Sequence, residues 1–323
     1  MYAAIKEIEY YLPKKVLTNK QLEKLFPDWL AAKIKDKTGI EQRHIADDSE
    51  CASDLAFMAA KKLFESSNTC KPADIDFLLF CTQSPDYFLP TTACILQDKL
   101  SFPTSCGALD FNLGCSGYVY GVSLAKGLIE SNQARNILLI TAETYSKYIK
   151  PDDKSVMTIF GDAAAATLIQ ATDSAEPLIG PVFFGTDGKG ANNLIVKGGA
   201  SRNQSIKPRL FMNGSEIFVF TLQVVVPLVH KLLHSSNKTI NDIDLFIFHQ
   251  ANKYMLDYLR EKLKIPQEKF YLCLESTGNT VSSSIPIALK NALQEKKVTH
   301  GDCVMLIGFG VGYSWGGTII TIS

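Results

Sequence analysis

The sequence lacks the features that mark several large classes of protein. Its 33 lysines and arginines balance 33 aspartates and glutamates, so no basic surplus favours nucleic acid as a main partner. The apolar runs, such as residues 77–81, are far too short to cross a bilayer. The first 13 residues carry three charged side chains and do not have the form of a secretory signal. We therefore expect neither a nucleic-acid partner nor a membrane partner.

Cysteine is also sparse. The eight cysteines are spread over 323 residues and form no CxxC pair, a spacing that disfavours a zinc site. Most of them lie in apolar or helical surroundings, which predicts reduced thiols and a cytoplasmic protein. With 46% apolar residues, the chain has the composition of an ordinary soluble protein and can bury a large core.

What the sequence does have is an internal repeat. Residues 74–83 (DIDFLLFCTQ) match residues 242–251 (DIDLFIFHQA), and each copy follows a helical pattern, over 50–66 and 215–235. Continuous apolar strands between helices are typical of parallel strands that are covered on both faces. A further helix and strand recur in each half, at 116–131 with 135–141 and at 283–296 with 302–307.

The repeat predicts two similar α/β halves, 1–170 and 171–323. Folds of this kind commonly place their site where the two halves meet, at the carboxyl ends of strands. Side chains that act in catalysis are therefore expected directly after the predicted strands.

Three such side chains stand out. Cys115 follows a predicted strand at 108–113 and precedes a helix, where the helix dipole and free backbone N–H groups favour a thiolate. His249 follows a predicted strand at 243–248, and Asn279 lies in a Gly-Asn-Thr turn before another helix. Cysteine with histidine and asparagine fits either a thiol protease or an acyl transferase.

A glycine-rich segment, residues 308–312, is predicted to form a tight turn after the strand at 302–307. Six blocks of sequence now stand in order: TGIEQRHI at 38–45, LGCSGY at 113–118, FGDAAAA at 160–166, HQAN at 249–252, GNT at 278–280 and GFGVGYSWG at 308–316. In these blocks the chain resembles the β-ketoacyl-acyl-carrier-protein synthase III family of the thiolase superfamily. The resemblance implies a thiolase-like α/β fold, with two duplicated halves in a five-layered α-β-α-β-α arrangement.

The resemblance also implies a reaction. Cys115 would accept an acyl group from acyl-CoA, and malonyl-acyl-carrier-protein would then lose CO2 and condense with it to give 3-oxoacyl-carrier-protein. His249 and Asn279 would donate hydrogen bonds to the enolate, and the backbone N–H groups of Cys115 and Val311 would form the oxyanion hole. Acyl-CoA and carrier-bound phosphopantetheine would be substrates, with no further cofactor and no metal.

Residues that hold the substrates are likewise implied by the resemblance. Trp29, Lys37, Lys154 and Lys253 would contact CoA or the carrier protein. Leu89, on a loop that the partner subunit of a homodimer contributes, would border the acyl pocket.

An alternative keeps the acyl-cysteine but passes the acyl group to an oxygen or nitrogen nucleophile without decarboxylation. The presence of both His249 and Asn279 favours condensation over this alternative. A non-enzymatic partner subunit is a third hypothesis, but such a protein would be expected to lose Cys115.

Overall fold

The structure is a computed structural model that describes residues 1–323. Its strands are β1 (Tyr2–Tyr11), β2 (Lys15–Thr18), β3 (Gln42–Ile45), β4 (Phe77–Cys81), β5 (Gly107–Phe111), β6 (Asn136–Glu143), β7 (Ala163–Thr172), β8 (Ile179–Thr186), β9 (Leu194–Val196), β10 (Leu210–Met212), β11 (Leu245–Phe248), β12 (Cys303–Gly310) and β13 (Ser314–Thr321). Its α-helices are α1 (Asn19–Leu25), α2 (Ala31–Thr38), α3 (Ala52–Ser66), α4 (Thr92–Lys99), α5 (Gly117–Glu130), α6 (Lys154–Met157), α7 (Gly214–Ser235), α8 (Lys253–Lys262) and α9 (Ser284–Gln294).

Two mixed sheets form the centre of the molecule. The first has the strand order β1-β7-β6-β4-β5, and the second has the order β11-β12-β13-β8. In the first sheet β4 runs parallel to β5 and β6, and in the second β11 runs parallel to β12. The first sheet uses strands up to residue 172 and the second uses strands from residue 179 onward. The exact division at 170 stays a prediction.

Helices cover both faces of both sheets, which produces five layers. Helices α5 and α9 lie between the sheets, in one buried cluster with side chains of β4, β6, β11 and β12. Helices α3 and α4 pack on the outer face of the first sheet, and α7 and α8 on the outer face of the second. The expected α-β-α-β-α arrangement is confirmed.

The packing of strand β4 explains why its sequence is apolar throughout. Leu79 points into the layer between the sheets, while Leu78 and Phe80 point into the outer layer. Alternate side chains of a strand face opposite sides of the sheet, so a strand buried on both faces has no polar side. The same holds for β11, whose Ile247 is in the inner cluster and Phe248 in the outer one.

One sequence-based expectation needs correction. Residues Gly308 and Gly310 do not belong to a turn, because β12 continues to Gly310 and only residues 311–313 connect it to β13. Helix α7 has the length and apolar composition of a membrane-spanning helix. Its Val225, Val229 and Leu232 are fully buried and form part of the core of the second sheet.

Candidate active site

Cys115 lies between strand β5 and helix α5, at the edge of the layer between the sheets. Ser116 is the N-cap residue of α5, so the cysteine precedes the helix by two positions. The hydroxyl groups of Ser116 and Ser314 are hydrogen-bonded at 2.6 Å, which ties the start of α5 to strand β13. Cys115 itself is buried and its thiol is free, as are all eight thiols in the chain.

The expected acidification of this thiol is wrong in its net direction. Burial, assisted by the nearby Glu143 carboxyl, raises the pKa of Cys115 to about 12. The backbone N–H groups of Val311 and Cys115 act in the opposite direction and lower that pKa. Desolvation outweighs them because a buried thiolate has little water around it. The resting nucleophile is therefore a protonated thiol.

His249 directly follows strand β11, and its backbone N–H donates to Ile307 of the neighbouring strand at 2.8 Å. Its ring packs edge-on against Phe309, with centroids 5.5 Å apart. Burial lowers the pKa of His249 to about 3, so the imidazole is neutral at physiological pH. A neutral ring has one N–H donor, and its position decides what the histidine can do.

Ser284 is the hydrogen-bond partner of His249 Nδ1. The Oγ atom of Ser284 accepts the backbone N–H of Gln250 at 3.3 Å and lies 2.7 Å from His249 Nδ1. When the Ser284 hydroxyl donates to Nδ1, the hydrogen of the neutral ring is on Nε2.

Asn279 presents a second donor beside His249. Its Oδ1 accepts the backbone N–H of Val281 at 2.9 Å, which orients the amide so that Nδ2 faces the histidine. Asn279 Nδ2 lies 3.4 Å from His249 Nε2. With the hydrogen on Nε2 both nitrogens are donors, which cannot satisfy each other but can share one oxygen. A developing enolate oxygen has the charge and lone pairs for both.

Two links bring this donor pair to the nucleophile. Phe309 contacts His249, and the next residue, Gly310, lies so close to Cys115 that an added Cβ would be 2.9 Å from its sulfur. On the other side, Phe160 bridges to Asn279 and belongs to the buried cluster that contains Cys115. The turn prediction missed the need for glycine at position 310. A larger residue there would displace the sulfur of Cys115.

A cavity of about 830 Å³ extends from this cluster. Tyr145, Leu194 and Leu210 belong both to its lining and to the cluster around Cys115. This volume is in the range of small-molecule sites, so the cavity is large enough for an acyl chain.

A buried carboxyl near the thiol was not expected from any motif. Glu143 ends strand β6, is fully buried, and burial raises its pKa to about 8. It accepts hydrogen bonds from the backbone N–H of Gln83, from Ser84 Oγ and from Ser282 Oγ. Because Ser282 lies in the second half of the chain, this carboxyl links the two halves by a hydrogen bond.

Comparison with known proteins shows which family has this arrangement. Residues 109–188 match the family model described as 3-oxoacyl-[acyl-carrier-protein] synthase III, and residues 233–322 match its C-terminal counterpart. A β-ketoacyl-[acyl-carrier-protein] synthase III from Caldanaerobacter subterraneus subsp. tengcongensis is 37% identical over 320 residues, covering 96% of this chain and 95% of that protein. The chain belongs to the β-ketoacyl-acyl-carrier-protein synthase III family.

Solved structures of synthase III proteins agree with this assignment across the whole chain. A crystal structure of a 3-oxoacyl-(acyl-carrier-protein) synthase III is 49% identical, with a TM-score of 0.98 and full coverage of both chains. A 3-oxoacyl-(acyl-carrier-protein) synthase from Burkholderia xenovorans is 34% identical, with a TM-score of 0.93, and covers 100% of this chain and 95% of its own. The thiolase-like fold expected from the sequence is confirmed.

The four residues that the synthase III resemblance assigned to CoA or the carrier lie in two groups. Lys154 Nζ is 3.5 Å from Asp28 Oδ2 and 5.4 Å from the centre of the Phe26 ring. The backbone N–H of Trp29 donates to Phe26 at 2.9 Å, so one short turn brings the tryptophan and the lysine together.

The second group joins helices α2 and α8. Lys37 is exposed near the end of α2, which is capped by Gly39 in the left-handed conformation at φ 72°. The aliphatic stem of Lys253 packs directly on Gly39, in space that a side chain there would occupy. Its ammonium group forms an ion pair with Asp257, so its charge is partly offset.

Proposed function

We propose that the protein condenses an acyl-CoA primer with malonyl-acyl-carrier-protein, with loss of CO2, to give 3-oxoacyl-carrier-protein. The observation that carries this proposal is the pair of donors, His249 Nε2 and Asn279 Nδ2, which are 3.4 Å apart beside a buried cysteine. The relatives are synthase III proteins over the whole chain. They favour condensation over acyl transfer to an oxygen or nitrogen nucleophile.

The first half-reaction is a thioester exchange at Cys115. Its sulfur attacks the carbonyl carbon of acyl-CoA, the bond to the CoA sulfur breaks, and the thiol proton ends on the released CoA. The backbone N–H groups of Cys115 and Val311 lower the pKa of this thiol. Their closeness to the sulfur supports a role in stabilising the oxyanion of the tetrahedral intermediate.

The second half-reaction forms the new carbon–carbon bond. Malonyl-carrier loses CO2, and the electron pair of the broken bond passes to an enolate whose oxygen accepts from His249 and Asn279. The enolate carbon attacks the acyl thioester, and the Cys115 sulfur leaves and takes up one proton. A dry site strengthens these hydrogen bonds, and both donors are buried.

The direct test follows wild-type protein supplied with acyl-CoA and carboxyl-labelled malonyl-carrier. We expect intact mass to show the acyl-enzyme, and label to be released as CO2 in step with formation of 3-oxoacyl-carrier. Acylation without any CO2 release would contradict the proposal and favour the acyl transferase.

The same proposal assigns the substrate contacts. Trp29 and Lys154 would hold CoA, while Lys37 and Lys253 would meet CoA or the carrier protein near the start of α8. Acyl-CoA and carrier-bound phosphopantetheine are then the substrates, and the chemistry calls for no other cofactor. Free thiols throughout the chain support a cytoplasmic location.

We also propose a homodimer, formed along strand β5. This strand lies at the edge of the first sheet, and its Leu109 is 43% exposed. An unpaired edge with apolar side chains favours pairing with a second copy. We expect light scattering at micromolar concentration to give twice the mass of one chain, and the mass of a monomer would contradict the proposal.

Leu89 provides a test of that dimer at the acyl pocket. It is 86% exposed in the chain, next to Tyr87 and Phe88 at 63% and 79%, so this loop is free to reach a partner subunit. If Leu89 closes the partner's acyl pocket, Leu89→Phe should shorten the longest primer that acylates Cys115. The measurement is intact mass with acyl-CoAs of increasing length, and an unchanged length profile would show that the loop does not close the pocket.

A further inference from the structure

The cavity beside Cys115 is not uniformly apolar. Ile195, Ala200 and Pro208, which lie outside the cluster around Cys115, form an apolar part of its wall. Close to the nucleophile, however, polar groups also line it: Gln83, Asn112, Tyr145 and Tyr148. A pocket for a plain alkyl chain has no need of them.

Gln83 and Tyr145 form the centre of this polar part. The Tyr145 hydroxyl donates to Gln83 Oε1 at 2.5 Å, and Gln83 Nε2 donates to Asn112 Oδ1 at 2.9 Å. The backbone N–H of Gln83 is held by Glu143 at 3.0 Å, which fixes the base of the side chain.

This pair lies directly beside the nucleophile. A Cβ added to Gly114, the residue before Cys115, would be 2.5 Å from Gln83 Oε1. Tyr145 belongs to the same buried cluster as Cys115 and is only 4% exposed. A group bound to the pair is therefore close to the thioester and shielded from bulk water.

The pair retains hydrogen-bonding capacity. A glutamine amide has two N–H donors and two acceptor lone pairs, and a tyrosine hydroxyl both donates and accepts. The side chain of Gln83 uses one donor and one lone pair, and Tyr145 uses its donor. One amide N–H and the phenol oxygen are left to interact with a substrate.

We infer that the primer carries a hydroxyl or keto oxygen on one of its first carbons, bound by Gln83 and Tyr145, and an apolar tail beyond it. The inference rests on the proposed function, since acyl-Cys115 is what brings the primer here. An oxygen buried with partners avoids the free-energy penalty of lost water contacts. A site built to bind such an oxygen also discriminates against the analogue that lacks it.

The experiment compares acyl-CoAs of equal chain length: octanoyl-CoA, 3-hydroxyoctanoyl-CoA and 3-oxooctanoyl-CoA. The rate of Cys115 acylation is followed by intact mass. We expect at least one oxygenated primer to react about tenfold faster than octanoyl-CoA or more, the effect of one or two buried hydrogen bonds. Octanoyl-CoA reacting as fast as both oxygenated primers, or faster, would overturn the inference while leaving the proposed function intact.

Variants of Gln83 and Tyr145 then test whether these two residues cause the preference for an oxygenated primer. Tyr145→Phe and Gln83→Leu should each bring the ratio of the two rates towards one, because the oxygenated primer loses a partner. A purely structural role would slow both primers by the same factor and leave the ratio unchanged, which would overturn the inference.

Tyr120→Phe is the matched control, since that hydroxyl binds the Gly185 carbonyl at 3.3 Å outside the cavity and its loss should leave the ratio as in wild type. Failure of every acyl-CoA to acylate wild-type Cys115 would overturn the proposed function, and this inference with it.

Discussion

Cys115→Ala should abolish formation of the acyl-enzyme from acyl-CoA. The thioester has no other sulfur to form on at this site, because the neighbouring Cys81 thiol is fully buried and donates to the Leu113 carbonyl at 3.0 Å. The measurement is intact mass after incubation with acyl-CoA, and the expected result is a single added acyl group in wild type and none in the variant.

The matched control for this experiment is Cys94→Ala. Cys94 is the exposed cysteine of the chain, so it is the thiol most open to non-specific acylation. We expect Cys94→Ala to gain the same acyl group as wild type. Retention of the adduct by Cys115→Ala together with its loss in Cys94→Ala would show that Cys94, and not Cys115, is the acceptor.

Much of the fold followed from the sequence, because burial leaves a pattern. The matching apolar strands at 77–81 and 245–248 are the parallel strands of two similar sheets. Strand ends also located the main candidates, since parallel strands bring their carboxyl ends to the same edge. This is why Cys115 and His249 could be selected before any contact was known.

The remainder of the site depends on packing, which short motifs do not record. The pKa of Cys115 is set by how completely the thiol is desolvated and by Glu143, which is distant in sequence. Gln83 and Tyr145 belong to no motif, and only the folded chain brings them together. Likewise, His249 Nδ1 pairs with Ser284, a contact between residues 35 positions apart.

The donor pair gives the clearest separation between condensation and plain acyl transfer. If His249 and Asn279 stabilise the malonyl enolate, His249→Ala and Asn279→Ala should each leave acylation of Cys115 largely intact and suppress CO2 release. Loss of one such donor typically lowers a rate by about 10²–10³, or roughly 3–4 kcal/mol of barrier. The two half-reactions are followed separately, acylation by intact mass and decarboxylation with carboxyl-labelled malonyl-carrier.

A structural role for the pair predicts a different outcome. Both side chains are buried, and Asn279 also joins the two halves through backbone hydrogen bonds with Ile159 and Gly161 at 2.9 and 3.0 Å. Those backbone contacts survive replacement by alanine, so a folded variant that acylates normally isolates the effect of the lost donor. His230→Ala, which removes an exposed histidine on α7, should release CO2 at the wild-type rate. Parallel loss of thermal stability and acylation would assign the pair to structure, and full-speed CO2 release from both variants would exclude it from decarboxylation.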